Sequence, residues 1–331
     1  MSLPPLYPLL TRPRQVQPIW GGTTLAHWVQ LPEPRPARLG EIWLVYDGDP
    51  IANGPLTGQT LAEVTQTYAA DLVGTRTIAR YGAEFPLLAK FIDAADRLSL
   101  QVHPDDAYAH AHEAATGFQG KTEAWYMLRT TPDAEVVYGF ARDTNRDEVA
   151  QALSDGTIEQ LMNHVPVQAG AVLFVPAGTV HAINSGILLF EIQQKSDLTY
   201  RVYDYGRRDA QTGQLRTLHL DKALAVMDFH AGPHTTHPIT PITAGRDTLV
   251  HCPFFALERW QLTTAQSLCS DSATFEIWTV IEGAAALTWE AGTLLLQLGA
   301  AVVIPACLGA YTLTPEGGAG VVLRAYVPSF P

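Results

Sequence analysis

Gly170-Ala-Val-Leu-Phe-Val-Pro176-Ala-Gly178-Thr-Val-His181 is an apolar run closed by proline, glycine and histidine. It reads as a buried β-strand entering a tight turn, because glycine and proline supply the backbone angles such a turn requires. The spacing returns downstream, where Gly170-x5-Pro176 becomes Gly299-x5-Pro305 and His181 falls on Ala310. A second pair repeats as well: Glu123-Ala-Trp125 matches Glu276-Ile-Trp278. The two offsets are 129 and 153 residues, and the difference is about the length of a helical-looking segment, 143–164, present only in the first copy. Within it Asn145-Arg146-Asp147-Glu148 reads as a capping box. A duplication of this kind predicts two related β-barrels, one with histidines and one without.

Composition suits that reading. The chain has 331 residues, enough for two domains, with 26 glycines and 23 prolines to turn short strands. No apolar run is long enough for a membrane helix, and the N-terminus lacks the basic and apolar regions of a signal peptide. Cys252, Cys269 and Cys307 are far apart and form no CxxC pair, so a cytoplasmic protein with reduced thiols is expected. A net charge of −12 argues against a nucleic-acid partner but leaves room for a small anion in a locally basic pocket.

Upstream of the turn, Ser99-Leu-Gln101-Val-His103-Pro-Asp-Asp106 precedes Gly120-Lys121-Thr-Glu123. In a strand, Leu98, Leu100 and Val102 point to one face and Ser99, Gln101 and His103 to the other. Polar groups on a concealed face are costly unless something binds them. A divalent metal would satisfy Gln101, His103 and Glu123, with His181 supplying the missing corner. Two other histidine groups do not fit. His110 and His112 sit two apart on an expected helix and face away from each other, and His230, His234 and His237 lie in a Pro/Thr-rich linker. Asp105 and Asp106 are expected to top the helix that follows Pro104.

Gly170-x5-Pro176-x-Gly178-x2-His181 resembles the second motif of the cupin superfamily. Ser185 stands where that motif closes on asparagine, and Gln101-x-His103 where the first motif has His-x-His. Ser-x-Gln-x-His-Pro-Asp-Asp, Gly-Lys-Thr-Glu, Val-Pro-x-Gly-x-x-His-Ala and Arg201-x-Tyr-Asp-Tyr205, in that order, resemble the type I mannose-6-phosphate isomerase family in its short bacterial form. The resemblance runs from Pro18 to Ala223, with one departure at Gly40-Glu-Ile-Trp43-Leu-Val, where the family often has Gly-Glu-x-Trp-Glu-x-Ser.

The resemblance implies a mainly β bicupin: two jelly-roll-like barrels, with a few helices inserted in and around the first. The catalytic region would span 1–229, a linker 230–243, and a degenerate barrel without metal ligands 244–331. It also implies interconversion of mannose 6-phosphate and fructose 6-phosphate through a cis-enediol, with one Zn²⁺ per chain on Gln101, His103, Glu123 and His181. Arg201 would be catalytic, and Lys121 would contact the substrate. Arg207 and Arg208 are candidates for phosphate contact, although a solvated loop is the simpler reading. The expected partner is a phosphosugar, with neither membrane nor nucleic acid, and the expected state a monomer or weak homo-oligomer. A non-catalytic sugar-binding or regulatory bicupin is the rival reading, against which Lys121 and Arg201 count.

Overall fold

The computed structural model describes residues 3–208 and 212–330. It is mainly β, and two compact units share the chain. One comprises 15–42 and 91–237; the other comprises 1–14, 43–90 and 238–331. Neither is contiguous in sequence.

The strands through residue 203 are β1 (Arg14–Val16), β2 (Glu41–Val45), β3 (Leu87–Ala94), β4 (Leu100–Val102), β5 (Glu123–Thr130), β6 (Glu135–Phe140), β7 (Met162–Pro166), β8 (Val172–Val175), β9 (His181–Ile183), β10 (Ile187–Gln194) and β11 (Tyr200–Tyr203). They form a six-stranded sheet, ordered β1-β2-β3-β10-β5-β8, and a five-stranded sheet, ordered β11-β4-β9-β6-β7. The later strands are β12 (Thr240–Thr243), β13 (Arg246–His251), β14 (Ala256–Leu262), β15 (Gln266–Cys269), β16 (Glu276–Trp289), β17 (Gly292–Leu296), β18 (Ala301–Ile304) and β19 (Ala310–Tyr326), all in one eight-stranded sheet. The strands expected to make two jelly-roll-like barrels lie in three sheets, and among the described residues no strand pairing closes a sheet on itself. In β16 and β19 bulges at Val280–Glu282 and Glu282–Ala284 bend the long strands, as an unpaired residue in a ladder does.

The repeat read from the sequence reappears in the pairing. Glu123 and Trp125 of β5 oppose Val175 and Leu173 of β8. Glu276 and Trp278 of β16 oppose Ile304 and Val302 of β18 in the same register. Gly170 N–H donates to Met127 O, and Gly299 N–H to Val280 O. β6 and β7 pair around the helical insertion, whereas the corresponding part of β16 meets β17 through the short turn at Glu290–Ala291. Gln101 pairs with His181 as Cys269 pairs with Ala310.

The insertion is helical over Arg146–Asp155, with a 3₁₀ turn over Ile158–Leu161. The expected helical stretch to residue 164 is too long, because Met162–Pro166 pairs as β7. The capping box there is half formed. Asn145 accepts from Glu148 N–H, while the Glu148 carboxylate turns to Arg142 and Thr144. Pro104 lies just before the N-cap Asp105, which accepts from Tyr108 N–H at the start of the Asp106–His112 helix.

Between the two sheets of the 15–42/91–237 unit, Trp125, Met127, Val136, Leu173, Val175 and Leu189 make an apolar core. Leu100, Val102, Val137 and Met162 pack on the outer side of the five-stranded sheet with Val149 and Leu224. β4 thus buries Leu100 and Val102 outward and turns Gln101 and His103 inward, as alternation demands. Leu98 departs from the expected face and joins the inner core.

Candidate metal centre

Two loops and two strands bring the polar residues together. β5 begins at Glu123 and presents its carboxylate inward; His103 directly follows β4, and His181 begins β9. The turn carrying His181 needs glycine: Gly178 has φ +88, donates to His103 O at 2.9 Å and accepts from Asp228 N–H at 2.8 Å. One ligand atom from each of His103, Glu123 and His181 lies within 4.8 Å of the others, and all three residues are buried.

The histidines are aimed by the main chain. His103 Nδ1 is 2.8 Å from Leu198 O and His181 Nδ1 is 2.9 Å from Thr179 O, so each Nδ1–H donates to a carbonyl. That leaves both Nε2 lone pairs facing Glu123, at 3.5 Å from Oε2 and 3.4 Å from Oε1. His103 Nε2 has no hydrogen-bond partner despite complete burial, and Glu123 Oε2 is met by the Lys121 ammonium. Burial, reinforced by Lys121, pushes the His103 imidazole down to about 3, and burial lowers His181. For Glu123 burial acts upward, but Lys121 and the imidazoles outweigh it and hold the carboxyl well below its usual range. Two neutral imidazoles, one with a buried unpaired nitrogen, and a carboxylate are a donor set that a divalent ion would complete.

The other expected residues fall around this centre. Gln101 has its amide 3.2 Å from His181 Nε2, and turning that amide over presents the oxygen. Lys121 is buried with its ammonium 2.9 Å from Glu123 Oε2, so it pairs with a candidate ligand. Arg201 opposes Gln101, which opposes His181, placing all three in one row on the inner face. Arg207 is taken by Asp204 at 2.6 Å and by the Arg97 carbonyl, while Arg208 is exposed and donates to Gly213 O. His110 bonds Gln119, away from His112, and His234 bonds Asn163.

Some participants escaped the sequence reading. Trp125 donates to both Glu123 at 3.0 Å and Glu191 at 2.9 Å, fixing the carboxylate from behind. The repeated Glu-x-Trp was the signal for it. Glu191 and Gln193 on β10 oppose Trp125 and Glu123, and only a pairing map reveals this.

In the other unit the same position is filled differently. Glu276 receives bonds from Trp278 at 2.7 Å, Tyr311 at 2.5 Å and the Arg324 guanidinium at 2.8 Å. Arg324 also lies 3.4 Å from Glu258, and these carboxylates raise its pKa against the opposing effect of burial.

An inward His-Glu-His cluster opened by a Gly-Pro-Gly turn on β-sheets defines a cupin-type metal protein. Residues 10–162 match the phosphomannose isomerase type I catalytic domain, and residues 246–326 match the mannose-6-phosphate isomerase cupin domain. A mannose-6-phosphate isomerase of Bacillus subtilis is 37% identical over 92% of this chain and 95% of its own. One of Streptococcus mutans is 34% identical over 90% and 92%. The crystal structure of a Bacillus subtilis mannose 6-phosphate isomerase superposes with TM-score 0.84 at 31% identity, covering 96% of this chain and 99% of that one. A zinc-bound mannose 6-phosphate isomerase shares the fold at TM-score 0.78 and 17% identity, covering 97% and 100%. The chain belongs to the type I mannose-6-phosphate isomerase family.

Proposed function

We propose that the chain interconverts mannose 6-phosphate and fructose 6-phosphate through a cis-enediol, with Zn²⁺ on Gln101, His103, Glu123 and His181. The carrying observation is the convergence of His103 Nε2, His181 Nε2 and the Glu123 carboxylate in a buried position, with His103 Nε2 left without a hydrogen-bond partner. When bound, the metal supplies Lewis acidity toward the sugar oxygens, worth several kcal/mol of charge stabilisation. Isomerisation takes a proton from C2 and returns one to C1, and charge develops on the carbonyl oxygen between these events. Arg201, in row with Gln101, and Lys121, beside Glu123, set positive charge next to that oxygen or the phosphate. In the loaded site both nitrogens of each ligand imidazole are committed, Nδ1 to a carbonyl and Nε2 to the metal, so neither ring carries the proton.

The matching strand registers support reading the two units as a duplicated bicupin. The Arg324 guanidinium on Glu276 supports one zinc per chain, held within 1–229 and not within 244–331. No helix among the described residues is long and apolar enough to cross a membrane. The three cysteines are unpaired, which supports a cytoplasmic setting, and we read the chain as a monomer or weak homo-oligomer.

A coupled assay for fructose 6-phosphate formation tests the reading. Turnover should vanish with a chelator and return on zinc addition. Failure of the folded, zinc-loaded chain to turn over mannose 6-phosphate would overturn it.

A further inference from the structure

Arg201 is held without a carboxylate. Its neighbour Asp204 is buried, but Asp204 Oδ1 is taken by Arg207 at 2.6 Å and Arg216 at 3.2 Å. Among the described residues Arg201 makes no ion pair. Its Nη1 donates to the Thr217 carbonyl at 2.8 Å, and its Nε is buried without a partner. The same short segment grips the Arg201 backbone. His219 N–H donates to Arg201 O at 2.9 Å, and Arg201 N–H donates to His219 Nδ1 at 3.2 Å. A neighbouring strand would ordinarily offer a carbonyl to that N–H; here an imidazole takes its place.

We propose that His219 is a positioning residue for Arg201: as a neutral imidazole it fixes the strand position from which the guanidinium reaches the site, and on protonation it releases that position. The inference rests on the role given to Arg201 above.

Nδ1 accepts only in the tautomer with its proton on Nε2, and a second proton sets donor against donor. Arg201 and Tyr200 face the ring from β11, Lys222 from the helix Leu220–Val226 that His219 precedes, and Glu113 from the end of the Asp106–His112 helix. Burial, then Arg201 and Lys222, lower the His219 pKa against the opposing effect of Glu113, which keeps the ring neutral at neutral pH. Acidification therefore removes the acceptor.

The test measures kcat and KM for mannose 6-phosphate against pH on the zinc-loaded full chain carrying His219→Leu, His219→Asn or Arg201→Met, with bound zinc assayed throughout. His219→Leu should lower kcat roughly tenfold and leave KM within about twofold, the pattern of a lost transition-state interaction. His219→Asn keeps an acceptor at the same place without titrating, so it should recover most of kcat and lose the acid-side fall of the parent. Parental kcat in His219→Leu, or an unchanged acid limb in His219→Asn, overturns the inference. Where His219→Leu does not fold, the asparagine pH profile decides. Full kcat in Arg201→Met would instead sink the role of Arg201. An inactive Arg201→Met beside parental His219 variants sinks the positioning role alone.

Discussion

Glu123 is satisfied on one side by Trp125 and faced on the other by Lys121 and two uncharged imidazoles. Removing Lys121 leaves a buried carboxylate without its cation. Lys121→Met should therefore destabilise the chelated protein by about 3–5 kcal/mol in urea unfolding, the usual cost of breaking a buried pair. Added zinc should return much of that loss, because it brings positive charge to the same carboxylate. Equal losses with and without zinc would show that Glu123 is not a ligand. A second check is bound zinc: His181→Ala, which removes one donor, should lose it on dialysis, and full retention would show the ligand set to be wrong. His103, Glu123 and His181 were legible because each stands in a motif whose turn or alternation dictates its direction. The partner of Lys121 was not legible, since a lysine two residues from a glutamate shares its face whether it pairs with that residue or with a substrate.

At the scale of elements, the Pro176–Gly178 turn joins both histidines: it leads into His181, and Gly178 N–H bonds the carbonyl of His103. A Cβ on Gly178 would meet Val226 O at 3.1 Å in a backbone region that disfavours side chains. Gly178→Ala should cost about 1–3 kcal/mol in thermal or urea unfolding and speed zinc release to a chelator. An unchanged melting curve would show that the turn relaxes freely. Turn and strand were readable from local chemistry. The end of the insertion was not: Met162–Pro166 carries no strong alternation and becomes a strand only because β6 lies beside it. The helix starting at Leu61 ends at Tyr68, where Ala69 adopts φ 45, a break that no glycine or proline in the sequence announces. Its Thr60–Glu63 capping box is complete, unlike the one at Asn145.

At the scale of the molecule, the duplication was legible as two offsets and returns as two matching strand registers. Sequence could not show that 43–90 belongs with 238–331, because that grouping depends on long-range packing. Nor could it show what replaces the metal in the second copy. Ala310 announced a missing histidine, but its neighbour Tyr311 and Arg324 at the far end of β19 meet Glu276 only in the folded sheet. Arg324→Met should destabilise the protein by about 3–5 kcal/mol while bound zinc per folded chain stays unchanged. A gain of a second zinc, or no stability change, would refute the replacement.

The guanidinium on Glu276 has a further consequence for a cell short of metal. One half of the chain carries its counter-charge covalently, so its stability is indifferent to supply. The other half has Lys121 on Glu123 and takes the rest of its positive charge from solution, so its stability follows the free ion concentration by mass action. Scarcity would therefore loosen the catalytic half first, so proteolysis of starved protein should begin among residues 91–237.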